Sequence, residues 1–446
     1  MSDTIIACAT PTGHSSIAVI RISGDNAVSL IKKVFVPSTD SYDFLPNRVY
    51  YGKVVASDTK DTIDYVLVTF FFAPHSYTGE DVVEISCHGN PLIVQKIIEI
   101  FINLGARLAQ PGEFTRRALL NNKIDLIQAE AILETVNAPC DEGRKLAIYQ
   151  LEGKLSAVLN EISSEIVDLL TVLEASIDFP EEEEIHFDKN VVIKKIKEIT
   201  EKVDLLLKGA SQGLKLKNGY RVVIAGRQNV GKSTLFNRLV GYDRAIVHET
   251  PGTTRDFIEE EIEIGGILIR LVDTAGVFLE GFGPDKIASS RSEELLKKAD
   301  LVLLTFDGSE PMNEQDAYLY NFAKNLNKIL VINKIDLNFN LRDSEILSDA
   351  VKVSAKTGDN IELLKENIKN RLFPKADRED VLITRERHIQ GLKDFRQCLD
   401  NIQSEQTPEI IAFELHNCLD ILGELTGKIL REDILNRIFE EFCIGK

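Results

Sequence analysis

The chain has 446 residues, 44% of them apolar, and a formal net charge of −18 from 52 Lys and Arg against 70 Asp and Glu. This length predicts two to four domains, and the acidic balance opposes an extended RNA-binding surface because it repels phosphate backbones. No apolar run approaches the ~18 residues of a membrane span, and the start MSDTIIACAT lacks the basic flank of a signal peptide. Six cysteines without a CxxC pair indicate reduced thiols in a cytoplasm and argue against structural zinc.

Residues 1–118 predict an α+β domain. Segments 17–22 and 65–72 are rich in β-branched and aromatic residues and predict strands, whereas segment 91–101 suits a helix. Residues 119–216 predict the first part of an all-α domain, because apolar residues recur at spacings of three and four in 151–173 and 192–206. The acidic run between these helices (178–184) is interpreted as a solvated turn.

Residues 217–376 alternate strands with helices, which predicts an α/β nucleotide-binding domain. Within it, Gly265 and Gly266 join two strand-like runs as a hairpin. Helical periodicity returns in residues 377–446. The α/β domain is therefore predicted to be inserted into one helical domain built from both flanks. Two separate helical domains are the less economical alternative, because each half has too few helices for a good core.

The segment GRQNVGKS (226–233) follows an apolar run and precedes a predicted helix. Its spacing fits G-x-x-x-x-G-K-[ST], the P-loop, in which backbone N–H groups and a helix N-terminus bind phosphate. In this pattern Lys232 reaches the β- and γ-phosphates and Ser233 holds Mg²⁺. The predicted phosphate-binding residues are Asn229, Val230, Gly231, Lys232, Ser233 and Thr234.

Four shorter motifs follow in the order that a GTPase needs. Thr254 can complete the Mg²⁺ shell, and the DTAG segment (273–276) can hold the metal through water and sense the γ-phosphate. Asp336 of NKID (333–336) can accept both guanine N–H donors, and SAK (354–356) offers a backbone amide to the guanine oxygen. Each motif alone is weak, but together they predict a guanine-nucleotide site. Its further residues are Thr253, Thr254, Asp273, Thr274, Ala275, Gly276, Asn333, Lys334, Asp336, Ser354, Ala355 and Lys356.

The residue after DTAG is Val277, where many GTPases have a Gln that orients the attacking water. No arginine finger is assigned, although Arg255 could act as one. The side-chain carbonyl of Asn229 could instead help to hold an alkali cation near the phosphates. The alternative interpretation of Asn229 is a polar residue that only fills the loop.

The chain resembles the MnmE (TrmE) family of bacterial tRNA uridine-modification GTPases over its whole length. Besides the nucleotide motifs and PGTTRD (251–256), the resemblance depends on five segments: RISG (21–24), SYTGEDVVEISCHGN (76–90), PGEFTRRALLNNKIDLIQAEA (111–131), IDFPEEEE (177–184) and CIGK (443–446). Other GTPases share the nucleotide motifs but not these segments.

The resemblance implies a folate-binding N-terminal domain that forms a homodimer, a helical domain and an inserted GTPase domain activated by K⁺. The implied cofactors are GTP, Mg²⁺, K⁺ and a reduced folate (5-formyl- or methylene-tetrahydrofolate). It also implies a heterotetramer with an FAD- and NADH-using subunit of the MnmG (GidA) type, which modifies carbon 5 of the wobble uridine of certain tRNAs.

Carried over by position, the resemblance assigns potassium to Asn229 and a loop of carbonyl groups, and folate to four charged residues. The loop comprises His248, Glu249, Thr250, Pro251, Gly252 and Thr253. The implied metal ligands are Asn229, Ser233, His248, Thr250, Thr253 and Thr254. The implied folate-site residues are Arg21, Glu84, Lys123 and Lys446. A carboxylate suits the amide-like donors of a pterin, and cations suit the glutamate tail.

The predicted catalytic residues are Lys232 and Thr254, from the nucleotide motifs, and Asp285, which the resemblance implies. The family usually has Glu at the position of Asp285. The shorter side chain of Asp is expected to affect the hydrolysis rate more than nucleotide binding. Glu280 is the alternative candidate for this catalytic role. Cys443 is either a reactive or an idle tail thiol. Two other functions stay open: a switch GTPase of RNA or ribosome assembly without one-carbon chemistry, and a folate enzyme with a regulatory GTPase domain.

Overall fold

The computed structural model describes residues 3–38, 43–179, 189–241, 258–273, 293–374, 383–404 and 407–446. The chain folds into two compact units. One contains Met1–Leu133, Leu151–Asn160 and Leu419–Lys446, and the other contains Glu134–Gln150 and Glu161–Cys418. This division differs from the four segments predicted from the sequence (1–118, 119–216, 217–376 and 377–446). The boundaries of those segments stay predictions.

The first unit is built on a sheet of strands β1 to β7. Their bounds are Ile5–Cys8, Ser15–Ser23, Phe35–Pro37, Val49–Val55, Thr62–Phe71, Val82–Gly89 and Arg107–Leu108. The strand order is β3-β4-β5-β6-β2-β1-β7, and every pairing is antiparallel except that of β1 with β7. Two helices, α1 (Ala27–Val34) and α2 (Pro91–Asn103), bury the apolar side chains of one face of this sheet. The predicted strands at 17–22 and 65–72 and the helix at 91–101 are confirmed.

Among the described residues, five helices follow next in the chain, labelled α3 to α7. Their bounds are Glu113–Leu120, Leu126–Asn137, Asp141–Leu151, Lys154–Asp178 and Lys189–Asn218. The helix predicted from residue 151 begins at Lys154 instead, because Leu151 ends α5 and Gly153 adopts a φ of +79°. In the first unit, α3 and α4 pack against the helix near the C-terminus, α14 (Glu432–Glu440).

Helices from both sides of the α/β segment pack together in the second unit. Helix α7 precedes that segment and packs along α12 (Glu386–Ser404), which follows it. The Arg396 Nε of α12 donates to the Asp204 Oδ1 of α7 at 2.9 Å. Helix α13 (Pro408–Thr426) comes next in the chain. The predicted insertion of the α/β domain into one helical domain is therefore confirmed.

Within its described residues the α/β domain has strands β8 to β13 and helices α8 to α11, besides a helical stretch at 293–297. The strands are Tyr220–Ala225, Ile258–Ile264, Ile267–Asp273, Leu301–Asp307, Lys328–Asn333 and Val351–Lys352. The helices are Lys232–Val240, Glu314–Phe322, Ser344–Asp349 and Ile361–Leu372, with a 3-10 turn at Ala323–Asn325. Among the described residues the strand order is β13-β12-β11-β8-β10-β9. All pairings are parallel except the β9–β10 hairpin, which turns at Gly265 and Gly266 as predicted.

The carboxyl ends of the parallel strands meet at one edge of this sheet. Strand β8 leads into Gly226, and β10, β11 and β12 end at Asp273, Asp307 and Asn333. Ligands of open α/β sheets bind outside this edge, so these residues locate the candidate site. Within the part of the chain that the structure describes, no helix is long and apolar enough to cross a membrane.

Candidate functional site

The phosphate loop connects β8 to α8, as the sequence predicts, and two of its glycines are required by close contacts. Gly231 has a φ of +91°, and a β-carbon there would lie 2.4 Å from the Asn333 Nδ2. A β-carbon on Gly226 would lie 2.4 Å from the carbonyl oxygen of Thr305. Asn229, which is exposed, also adopts a left-handed backbone with a φ of 66°. The loop is therefore a cradle that admits no larger residue at its two ends.

Lys232 lies over this loop. Its Nζ donates to the carbonyl oxygens of Gly226 and Arg227, both at 2.9 Å. Burial lowers the pKa of Lys232, and the nearby charge of Asp273 opposes that shift. The N-terminus of α8 carries no side-chain cap, so its first amides suit an anion. This arrangement fits a bound nucleotide phosphate.

The NKID segment (333–336) is here called the base loop. Its first residue, Asn333, is 2% exposed and joins the base loop to the phosphate loop. Its Nδ2 donates to the Val230 carbonyl at 2.9 Å, and its Oδ1 accepts from the Ala355 amide at 2.9 Å. The Ser354 Oγ donates to the Asp336 Oδ1 at 2.7 Å, which orients that exposed carboxylate. The structure thus brings the phosphate, NKID and SAK segments together. The Ala355 amide, one of the backbone amides of the SAK segment, donates to Asn333 in this structure.

Acidic residues that the sequence reasoning missed hold two cations of the site. Lys334, with a φ of 66°, places its Nζ 2.5 Å from the Asp307 Oδ2. Arg227 contacts Glu310 at 2.5 Å and Asp316 at 3.1 Å. A signal did exist, because Asp307 ends the apolar run 301–306 as the predicted Asp273 ends 267–272.

Only some of the residues predicted to bind metal ions lie in the part of the chain that the structure describes. Asp273 is buried at the end of β10, opposite Ile224 of β8, and Ser233 is exposed at the start of α8. Their oxygen atoms are ligands of the kind that Mg²⁺ prefers. Several predicted positions lie outside the described residues: 248–255, 274–277, 280 and 285.

A second cluster lies in the first unit, around Arg21. Arg21 and Glu84 are cross-strand neighbours on β2 and β6, and the Glu84 Oε1 accepts from the Arg21 Nε at 2.9 Å and Nη2 at 2.7 Å. The guanidinium carbon of Arg21 lies 5.3 Å from the ring centroid of Tyr77 and 5.7 Å from that of Phe114. Burial raises the pKa of Tyr77, whose hydroxyl is 2.8 Å from the Thr115 Oγ1. The sequence reasoning missed both aromatic rings.

The C-terminal segment is anchored beside this cluster. The Phe114 amide donates to the Lys446 carbonyl at 3.2 Å. Gly445 has a φ of +98°, and a β-carbon there would lie 2.4 Å from the Cys8 carbonyl oxygen. Lys123 donates to the Pro74 carbonyl at 2.9 Å, on the loop that leads to Tyr77. Cys443 is exposed.

These features define a class of protein. A glycine-bounded phosphate loop with a buried lysine lies against a base loop that ends in an oriented carboxylate, all at the carboxyl edge of a parallel sheet. That combination is the site of a P-loop guanine-nucleotide-binding protein.

Comparison with known proteins gives the family. The model described as "MnmE helical domain" matches residues 126–443, and "GTP-binding protein TrmE N-terminus" matches residues 4–123. The tRNA modification GTPases MnmE of Aquifex aeolicus (strain VF5) and Syntrophus aciditrophicus (strain SB) are each 40% identical, over 100% of this chain and 100% of each relative. That of Thermoanaerobacter sp. (strain X514) is 38% identical, over 100% of this chain and 99% of the relative.

The chain belongs to the MnmE family of tRNA modification GTPases. It is a GTP-binding enzyme that hydrolyses GTP in tRNA modification, with the three predicted types of domain: α+β, all-α and inserted α/β. Among solved structures, the G domain of the T. maritima FeoB iron transporter is 32% identical, covering 34% of this chain and 98% of that chain. Its TM-score of 0.26 is too low to bear on the fold.

Proposed function

We propose that this GTPase, with an FAD- and NADH-using partner of the MnmG type, modifies carbon 5 of the wobble uridine of certain tRNAs. A reduced folate, 5-formyl- or methylene-tetrahydrofolate, supplies the one-carbon unit when bound. The observation that carries this proposal is the cluster of Arg21, Glu84, Tyr77 and Phe114, because a switch GTPase of RNA assembly has no need of it.

The chemistry of this cluster suits a reduced folate. The exposed ring of Tyr77 lies beside the Arg21 guanidinium and offers flat apolar surface to a pterin, whereas the buried ring of Phe114 contacts the guanidinium from within the core. The Glu84 carboxylate can accept from the amide-like N–H groups of that ring. The carboxylates of the glutamate tail suit cations such as Lys123 and Lys446. The bond from the Phe114 amide to the Lys446 carbonyl supports a role for the last residue in this site.

A homodimer is supported by the sheet face that α1 and α2 leave uncovered. Tyr51 of β4 pairs with Leu67 of β5 on this face, and the Tyr51 and Tyr65 rings stack with centroids 6.2 Å apart. Its exposed apolar side chains are Ile17, Val49, Tyr51, Tyr65 and Leu67. Exposed apolar surface such as that on the neighbouring strands β4 and β5 marks protein–protein contact sites. We propose a second copy of the chain as the partner that covers it.

In the GTPase site, we propose that Ser233 and Thr254 bind Mg²⁺, with Asp273 acting through water. Potassium would be held by Asn229 and by carbonyl groups in residues 248–253. Val277 cannot orient water, and no arginine finger is assigned. We therefore propose that the potassium ion offsets the charge that develops on the γ-phosphate. Lys232, Thr254 and Asp285 are the proposed catalytic residues.

Contact with tRNA is proposed to be local or shared with the partner subunit, because the net charge of −18 repels phosphate backbones. The reduced thiols predicted from the sequence suit action in the cytoplasm.

The proposal is tested by digesting tRNA to nucleosides from cells that lack the chain and from cells complemented with variants. Arg21→Ala removes the cation that contacts both rings, and Arg48→Ala removes an exposed arginine of the same unit as a matched control. We expect the C5-modified wobble uridine to vanish in the deletion and in Arg21→Ala, and to persist in Arg48→Ala. Purified Arg21→Ala should still hydrolyse GTP. Normal wobble uridine modification in the deletion strain would refute the proposed function.

A further inference from the structure

The buried carboxylate of Asp307 lies at the centre of an ion-pair arrangement beneath the nucleotide site. Asp307 is 3% exposed and ends β11, directly opposite Asn333 of β12. Its Oδ2 contacts the Lys334 Nζ at 2.5 Å, and its Oδ1 accepts from the Ser309 amide at 2.9 Å and the Ser309 Oγ at 2.6 Å. Both carboxylate oxygens are therefore used.

Asp307 stays ionised in this setting. Burial alone would raise the pKa of its carboxyl, but the hydrogen bonds from Lys334 and Ser309 outweigh burial and lower the pKa. A charged hydrogen bond of this kind fixes the position of its partner more strongly than a neutral bond.

Lys334 lies between the two residues that set the geometry of the base loop. Asn333 before it bonds to the phosphate loop, and Asp336 two residues later is oriented by Ser354. A left-handed backbone is unfavourable for a non-glycine residue, so Lys334 needs a contact that holds its φ of 66°. The ion pair with Asp307 is such a contact, and a change there would reach Asp336.

The residues that follow Asp307 hold the phosphate loop in the same way. Glu310 and Asp316 bind Arg227, whose carbonyl accepts from Lys232 at 2.9 Å. Asp316 is itself fixed by a capping box with Asn313 at the start of α9. Residues 307–316 therefore contact both the base loop, through Lys334, and the phosphate loop, through Arg227.

We propose that Asp307 is a positioning residue for guanine-nucleotide binding that acts through Lys334. It touches no part of the nucleotide, and its carboxylate holds Lys334 so that Asp336 meets the guanine edge. Because this contact lies on the base side, it serves GTP and GDP alike and leaves the hydrolysis step unaffected.

The test measures dissociation constants for GDP and GTP, and kcat at saturating GTP, on the full chain. Asp307→Asn should raise both dissociation constants about tenfold and leave kcat within about twofold. Asp300→Asn is the matched control, because Asp300 precedes the same strand and pairs with Lys215 at 2.7 Å, at the end away from the site. We expect no change in nucleotide affinity for this control.

A double-mutant cycle with Lys334→Met separates positioning from general destabilisation. If Asp307 acts through Lys334, then Lys334→Met raises the dissociation constant for GDP, and adding Asp307→Asn raises it no further. Lys334 is partly exposed, so this variant tests the proposal even where Asp307→Asn does not fold. The proposal is overturned by an unchanged GDP affinity in either single variant, by additive effects in the double variant, or by an equal loss in Asp300→Asn.

Discussion

The side-chain nitrogen of Asn333 lies 2.4 Å from the point where a β-carbon on Gly231 would stand. The same nitrogen donates to the carbonyl of Val230, the residue before that glycine. The base loop thus touches the phosphate loop at a position where only hydrogen fits. A displacement of the base loop at this contact would therefore also displace the phosphate loop.

Gly231→Ala should therefore disrupt nucleotide binding. The added methyl group would push Asn333 from Val230 or force the loop to move, and it would also occupy a φ of +91°. We expect GTP affinity to fall more than about tenfold, measured by equilibrium titration. Gly358→Ala is the control, since Gly358 has a φ of +96° but its nearest neighbour would be 3.8 Å away. That variant should cost about 1–2 kcal/mol of stability and spare GTP affinity.

Asp336→Asn should change the choice of base. Guanine presents two N–H donors, and replacing the carboxylate acceptor with an amide that carries its own N–H weakens those bonds. Hydrogen bonds to charged groups contribute about 1.5–3 kcal/mol each, so GTP affinity should fall at least about tenfold while xanthosine nucleotides bind better. Asp359→Asn, an exposed carboxylate in the neighbouring turn, should change neither affinity. Unchanged GTP binding in Asp336→Asn would be incompatible with the assigned base site.

Asn229 allows a test of the proposed cation. Its φ of 66° means that Ala would remove the side-chain carbonyl and strain the backbone together, whereas Gly removes only the side chain. We predict that Asn229→Gly retains GTP binding but loses the increase in hydrolysis rate that K⁺ gives over Na⁺. The measurement is steady-state turnover in each salt. Equal rates for the unmodified protein in the two salts would rule out a potassium role.

The sequence was sufficient to place the phosphate loop between a strand and a helix, because this motif depends on local spacing. GRQNVGKS could be recognised because all its motif residues lie within eight consecutive positions. In the structure this segment connects strand β8 to helix α8. The contact of Arg21 with Glu84 could not be predicted from spacing, because it requires the register of two antiparallel strands. The contact of Arg21 with Tyr77 requires the conformation of the loop between β5 and β6. Asp307 shows an intermediate case. Its place at the end of an apolar run was visible, but its partner depends on the pairing of β11 with β12.

Gly445→Ala should test the role of the C-terminal segment in the proposed folate site. A β-carbon at Gly445 would lie 2.4 Å from the Cys8 carbonyl oxygen, so the segment must shift and carry Lys446 with it. We expect reduced folate to bind measurably more weakly in calorimetry, with GTP hydrolysis unchanged. Gly105→Ala is the control, because its φ of +108° is equally unfavourable but no atom lies within 4 Å of the added carbon. Equal folate affinity in Gly445→Ala and the unmodified chain would exclude the segment from the site.

The last prediction concerns acid stability and Glu113. This buried carboxylate accepts from Arg107 at 2.6 Å and 2.9 Å, from Arg117 at 3.1 Å and from the Gln110 amide at 2.8 Å. Burial alone would raise the pKa of Glu113, but these bonds together lower it below the ordinary value of 4.5. The folded state therefore binds this proton less readily than the unfolded chain does.

The stabilisation from Glu113 is fully present above pH 4.5 and is lost as the pH falls through the lower folded-state pKa. Glu113→Gln should lower the unfolding free energy near pH 7 by about 1–3 kcal/mol, and the difference from the unmodified chain should shrink as the pH falls below 4.5. Thermal unfolding at a series of pH values measures both effects. Glu99→Gln, on the exposed side of α2, is the control and should follow the unmodified chain throughout. A constant difference between Glu113→Gln and the unmodified chain across this range would contradict the charge-based explanation, because a packing defect does not titrate.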